Sequence, residues 1–140
     1  MRVLSSQDME NTLTLQVLEL RLAICRLSGD DPIPDWIERG GFYSVTRTGD
    51  ELSIVCSEKD VPRDVEAERD WRALKVKGIL DFALTGILAS LVTPLAKAGI
   101  SIFAISTFDT DYLLLKTEKV DEAVSILNKF CNIELTNSIG

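Results

Sequence analysis

Hydrophobic and polar positions are most regularly ordered in the second half of the chain. Residues 74–78, 100–107, 111–116 and 133–135 form short, largely apolar runs of strand length. Residues 86–98 place their apolar side chains on one helical face, with Thr85 available as N-cap and Gly99 at the terminating position. Residues 118–130 repeat that spacing after Thr117, a second candidate N-cap. The predicted order, β-α-β-β-α-β, is that of a ferredoxin-like unit.

The first half contains a weaker version of the same order. Residues 13–25 alternate with a phase change near Val17, which predicts one long strand with a bulge or two short strands, although a helix also fits. Residues 35–39 can form about one helical turn. Residues 42–47 and 52–56 predict a hairpin in which Gly49 supplies a positive φ. The charged residues 64–72 predict a connector into the strand at Leu74.

The two halves together predict an α+β protein made of two related units. Residues 56–61 and 116–120 both carry a hydroxyl residue followed by Glu and Lys directly after a predicted strand. We expect an N-terminal unit with shortened helices over residues 12–68 and a C-terminal unit over residues 69–136. Two such units would share one largely antiparallel sheet and one core, with helices on one face.

Composition excludes several classes of function. The chain has 140 residues, 46% of them hydrophobic, which is enough apolar material for one domain or two small fused ones. Its net charge is −7, and its Lys and Arg residues are scattered among carboxylates, so we expect no nucleic-acid partner and no anionic membrane partner. No apolar run approaches the length of a spanning helix, and we expect a cytoplasmic protein.

Catalytic chemistry is poorly represented. The sequence contains no histidine, which removes the usual general base, the usual activator of a nucleophile and the commonest metal ligand. Cys25, Cys56 and Cys131 are odd in number and far apart, so we expect small core residues rather than disulfides or metal ligands. We therefore expect no enzyme, no metal and no cofactor.

Three motifs carry a resemblance to a known family. They are Trp71-Arg72-Ala73-Leu74-Lys75-Val76, then Asp81-Phe82 with Thr85-Gly86-Ile87-Leu88, and finally Ser106-Thr107-Phe108-Asp109-Thr110-Asp111-Tyr112. With these motifs the second half resembles an ACT domain, a small ligand-binding regulatory module. The whole chain, over residues 13–133, resembles bacterial tandem-ACT proteins that are similar to the cytosolic arginine sensors of animals. The resemblance implies a ferredoxin-like ACT fold with an amino acid bound between two ACT units.

The resemblance also implies the residues of the binding site. Carried over position by position, they are Asp81, Thr85, Gly86, Ile87, Thr107, Phe108 and Asp111. In the arginine sensors an acidic residue of the loop before the helix helps to hold the guanidinium group, and Leu84 stands at that position here. This departure from the family pattern argues against arginine and leaves a smaller or apolar amino acid open.

The chemistry of these residues is consistent with such a site. A helix beginning at Gly86 offers free N–H groups and a positive dipole end to a carboxylate. Asp111 can accept hydrogen bonds from an ammonium group. Purely structural roles stay open: Asp111 can stabilise its own turn, Thr85 can cap the helix, and Phe108 can serve as core or lid.

The function predicted from the sequence is that of a non-catalytic, allosteric sensor. It would bind a small metabolite, an amino acid by resemblance, at the interface of its two ACT units, and convert binding into a change of partner or oligomer. A homodimer and a different protein partner both stay open. The alternative is a ligand-free module that acts through assembly alone.

Overall fold

A computed structural model of the chain describes residues 13–77 and 86–136. Within these ranges the strands are β1 (Thr14–Leu18), β2 (Leu22–Leu27), β3 (Tyr43–Arg47), β4 (Leu52–Ser57), β5 (Glu66–Val76), β6 (Phe103–Ser106), β7 (Asp111–Lys116) and β8 (Asn132–Thr136). The α-helices are α1 (Ile87–Lys97) and α2 (Val120–Leu127), and 3₁₀ turns span Asp35–Gly40, Glu58–Asp60 and Thr117–Lys119. Neither of these α-helices is long and apolar enough to cross a membrane.

One long strand, β5, belongs to both halves of the sheet. Its first part pairs with β2, which continues to β4 and β3. Its second part pairs with β7 on one edge and β1 on the other. The succession β5-α1-β6-β7-α2-β8 is the predicted β-α-β-β-α-β order, and the α+β, ferredoxin-like fold is confirmed.

Strand β1 lies apart from β2, in the C-terminal half of the sheet. It pairs antiparallel with β5 and parallel with β8, so it stands between two strands of the C-terminal unit. The ambiguity in residues 13–25 is thereby resolved in favour of two short strands. The predicted unit boundaries stay a prediction, but hydrogen bonding assigns β1 to the sheet of the second unit.

A bulge in β5 marks the passage from one half to the other. Leu22 faces Trp71 while Ile24 faces Glu68, so β5 carries one extra residue between these two pairs. Asp70 occupies the bulge with a φ of 72°, a left-handed conformation unusual for a residue other than glycine. The prediction that residues 64–72 form a connector is wrong. Residues 66–72 form the first part of β5, where Glu66, Glu68 and Asp70 are exposed and the strand therefore lacks an apolar pattern.

Residues of both units form hydrogen bonds with Asp70 at the bulge. The Asp70 N–H donates to Glu58 Oε1 at 2.6 Å, and Arg21 Nη1 donates to Asp70 Oδ1 at 2.9 Å. The Thr117 hydroxyl donates to the Asp70 carbonyl at 3.1 Å. The prediction that Thr117 caps a helix is therefore wrong, since α2 begins at Val120 and the hydroxyl bonds to β5 instead.

The core has three parts because side chains alternate across the sheet. On one face, Leu74 and Leu113 pack with the apolar sides of α1 and α2. On the opposite face, Ala73 and Leu114 pack with Val55 of β4, so the N-terminal half covers the face that the helices leave open. The third part lies beneath the Asp35–Gly40 turn and contains Cys25 and Cys56. All three cysteines are buried and free, as predicted for core residues.

Candidate functional site

The turn between β6 and β7 is held by threonine. The Thr107 N–H donates to the Thr110 carbonyl at 2.8 Å, and the Thr107 hydroxyl donates to the same carbonyl at 3.1 Å. The same hydroxyl oxygen accepts from the Thr110 N–H at 3.2 Å. Phe108 lies at the tip with 82% of its surface exposed, so it presents a large apolar side chain beside the turn.

Thr110 connects this turn to the end of β5. Its hydroxyl donates to the Val76 carbonyl at 2.8 Å, and the residue is 5% exposed. Sequence reasoning did not single out Thr110, because the bond joins residues 34 positions apart. The contact fixes the turn against the strand end from which the chain continues toward α1.

The start of α1 has the properties of an anion-binding helix end. Gly86 is the N-cap, with φ 82° and ψ 4°, and its carbonyl accepts the N–H of Ser90 at 2.9 Å. Within the described residues the N-cap makes no side-chain hydrogen bond, and the first turn contains no acidic residue. The N–H groups of the first turn therefore have no partner within the helix, and no acidic side chain of that turn offsets the positive end of the dipole.

Helix α1 also corrects the predicted capping. The prediction of Thr85 as N-cap is wrong, since Gly86 occupies that position. Glycine suits the position because it adopts a positive φ without strain. Ile87, the first helical residue, is 4% exposed and belongs to the core, so only its backbone is available to a ligand.

Asp111 lies on the helix-covered face of the sheet. It is two residues before Leu113, which packs in the helix-side core, and alternation along β7 places both on one face. Its Oδ1 accepts a hydrogen bond from the Ser106 hydroxyl at 2.5 Å across the hairpin. The carboxylate is thus oriented by a neighbouring strand rather than by the backbone of its own turn.

The predicted site residues fall into two groups. Gly86 and Ile87 begin α1, and Thr107, Phe108 and Asp111 belong to the β6–β7 hairpin. The hairpin group lies at the end of β5, because Thr110 bonds the turn to Val76. Helix α1 is the next described element after β5 in the chain. Asp81 and Thr85 lie outside the described residues. Residues 13–77 and 86–136 contain no cluster of three or more acidic, Cys or His side chains placed to hold a metal ion.

The N-terminal unit has a matching turn with different surroundings. The Thr48 N–H donates to the Glu51 carbonyl at 2.9 Å, and the Thr48 hydroxyl accepts from the Glu51 N–H at 3.2 Å, as in the β6–β7 turn. The prediction of a positive φ at Gly49 is wrong, since Gly41, Gly86 and Gly99 are the described glycines with that conformation. Threonine bonding, rather than a left-handed glycine, shapes the hairpin.

In the described part of the N-terminal unit there is no α-helix whose start could play the part of the start of α1. The Asp35–Gly40 segment is a six-residue 3₁₀ turn that carries Asp35 and Glu38 in its first turn. Arg47 instead donates a hydrogen bond to the Gly29 carbonyl of the preceding loop. A carboxylate would meet acidic side chains there, so the candidate site belongs to the C-terminal unit.

Comparison with known proteins supports this fold assignment. Residues 66–129 match the family model described as ACT domain, and residues 21–64 match a model described as an N-terminal domain. The crystal structure of protein Atu0741 from Agobacterium tumefaciens is 39% identical, with 90% of this chain and 95% of that chain covered and a TM-score of 0.84. The regulatory subunit of aspartate kinase from Thermus thermophilus shares the fold, with a TM-score of 0.51, 15% identity and coverage of 80% and 94%.

A curated relative adds a regulatory protein to this set. The human cytosolic arginine sensor for mTORC1 subunit 1 is 35% identical over 96 residues, which is 63% of this chain and 29% of that protein. The chain therefore spans less than a third of that relative's length. We conclude from the family-model match that residues 66–129 are an ACT domain, in a chain that is similar to Atu0741 over 90% of its length.

Proposed function

We propose that this protein is a non-catalytic sensor that binds a free amino acid at the C-terminal ACT domain. The observation that carries the proposal is a pair of features in this domain: a start of α1 at which no described side chain makes a capping hydrogen bond, and the Asp111 carboxylate held by Ser106. The helix N–H groups suit an α-carboxylate, and Asp111 suits an α-ammonium group. A zwitterion presents both charges close together, so one small molecule can satisfy both.

The relatives agree with a regulatory role. The names of two of them describe an arginine sensor and the regulatory subunit of an aspartate kinase. We propose the same kind of role for this chain: it senses a ligand and responds by a change of oligomer or partner. We also propose a cytoplasmic location, which the name of the arginine sensor states for that protein. Such a response requires that the ligand bind one state more tightly than the other.

A thermal-shift screen of the full chain against the twenty amino acids tests the proposal. An amino acid at 100 times its dissociation constant should stabilise the fold by about 2.7 kcal/mol, or several degrees in Tm. Asp111→Ala should abolish the shift. Asp109→Ala is the matched control, because it removes an exposed carboxylate from the same hairpin and should leave the shift intact.

Two results would contradict the proposal. A stabilising amino acid that acts equally on Asp111→Ala would place the site elsewhere. Absence of a shift with every amino acid would favour the ligand-free assembly module. Size-exclusion chromatography with and without a stabilising amino acid would then test whether binding changes the oligomer.

A further inference from the structure

A cleft lies where the two units meet, beside the face of β6 that carries Phe103 and Ile105. It has a volume of about 230 Å³ and separates the β3–β4 hairpin from β6. Its apolar lining comes from Val55, Phe103 and Ile105, which continue the core between the units. The amino-acid site proposed above uses the helix-covered face. Ser106 borders both sites, since it lines the cleft and its hydroxyl donates to Asp111.

One wall of the cleft carries three hydroxyl groups. They belong to Ser44 and Thr46 of β3 and Ser53 of β4, with Thr46 directly opposite Ser53 in the ladder. Among the described residues none of the three hydroxyls makes a hydrogen bond. Each can both donate and accept, so this wall can bind a molecule of mixed polarity.

The other wall is the free edge of β6. In the described part of the chain β6 pairs with β7 and with no other strand. The Thr107 N–H bonds to Thr110, and antiparallel alternation then directs the N–H and C=O of Ala104 and Ser106 away from β7. Both residues line the cleft, so each offers it a donor and an acceptor side by side.

Size and charge restrict what can bind. The volume is below the range of about 300–1,000 Å³ usual for drug-sized ligands, so the occupant is small. None of the described residues that line the cleft is charged, and an ion would lose hydration against this lining without a compensating partner. We infer that this cleft binds an uncharged planar heterocycle of nucleobase size, with its donor–acceptor edge on the β6 backbone and its exocyclic groups on the hydroxyls.

Titration of the ¹⁵N-labelled full chain with adenosine and uridine, observed by NMR, tests this inference. At millimolar concentration we expect saturable shifts of the amides of Ala104, Ser106, Ser44 and Thr46. The double variant Thr46→Val/Ser53→Ala should weaken binding roughly tenfold, because it removes two hydrogen-bonding groups. Thr93→Val, which removes an exposed hydroxyl from α1, is the control and should bind as the wild type does.

Several outcomes would overturn the inference. They are absence of shifts with both nucleosides, equal shifts with ribose alone, and equal affinity in the double variant. Shifts of the β6 amides that follow protein concentration instead of nucleoside concentration would also overturn it, since they would show that a second copy of the chain occupies the edge.

Discussion

Strand β1 should control the stability of the ACT domain, although β1 lies about fifty positions before that domain in the chain. The family match covers residues 66–129, yet β1 lies between β5 and β8 and supplies the middle of that sheet. Leu15 faces Val76 on one side and Ile133 on the other, and it is completely buried in the helix-side core. We therefore expect Leu15→Ala to destabilise the C-terminal unit directly.

The magnitude follows from burial. Replacing a buried leucine by alanine lowers the free energy of unfolding by about 2–5 kcal/mol, against about 5–15 kcal/mol for a typical domain. Leu13, Val17 and Leu18 are also buried, and each such side chain contributes about 1.5–3 kcal/mol. Loss of the whole strand would thus remove a contribution comparable with the entire stability. We expect the isolated fragment 66–136 to be unfolded.

Urea unfolding followed by circular dichroism and tryptophan fluorescence measures the effect. Gln16→Ala is the matched control, because Gln16 is the partly exposed neighbour on the same strand. Trp71 lies between the two units and Trp36 packs in the N-terminal cluster, so fluorescence covers both halves. A Leu15→Ala midpoint equal to that of Gln16→Ala would refute the reasoning, as would cooperative unfolding of fragment 66–136.

Three further predictions concern single residues. Thr110→Val should lower the free energy of unfolding, measured with urea, by about 1–3 kcal/mol, because the Val76 carbonyl loses its hydroxyl donor. An unchanged free energy would mean that water replaces the Thr110 hydroxyl as the donor. Asp70→Gly should leave Tm within a few degrees, because relief of the left-handed strain offsets loss of the half-exposed ion pair with Arg21. Asp70→Val should lower Tm clearly, because valine is strained at a positive φ. Equal effects of the two substitutions on Tm would contradict the strain argument. Burial raises the pKa of Cys131 to about 11 from 9.0, so its contribution to stability is complete below pH 9 and is lost as pH rises through 11. Cys131→Ala should therefore flatten the alkaline fall of the urea midpoint, and an equally steep fall would assign that pH dependence to other groups.

The sequence predicted those elements whose periodicity is local. Strand β7 has the predicted bounds, and both α-helices lie within the predicted spans because their apolar faces are buried against one sheet. The two copies of a hydroxyl residue followed by Glu and Lys also correspond to similar local structures, since a short 3₁₀ turn follows both β4 and β7. These features depend on neighbours within a few positions.

The missed features depend on contacts between distant residues. The placement of β1 follows from pairing with β5 and β8, and no local pattern distinguishes that pairing from a hairpin with β2. The charged start of β5 has the sequence of a connector because its side chains are exposed or only partly buried, so the strand contains no apolar alternation there. In the candidate site, the hairpin residues were predicted from the family resemblance. The role of Thr110 could not be predicted, because it depends on a hydrogen bond to the distant residue Val76.

The shared strand connects the candidate site to the junction between the units. The Val76 end of β5 holds the hairpin of the candidate site, and the Asp70 bulge bonds to Glu58 of the N-terminal unit and Thr117 of the C-terminal unit. A packed strand of this kind cannot shift at one end alone without loss of ladder bonds along its length. Under the proposed function, we expect a ligand that repositions the end of β5 to alter the bulge, where the strand carries an extra residue. Regulation in this chain would then act through the junction between its units, which the contacts of Asp70 define.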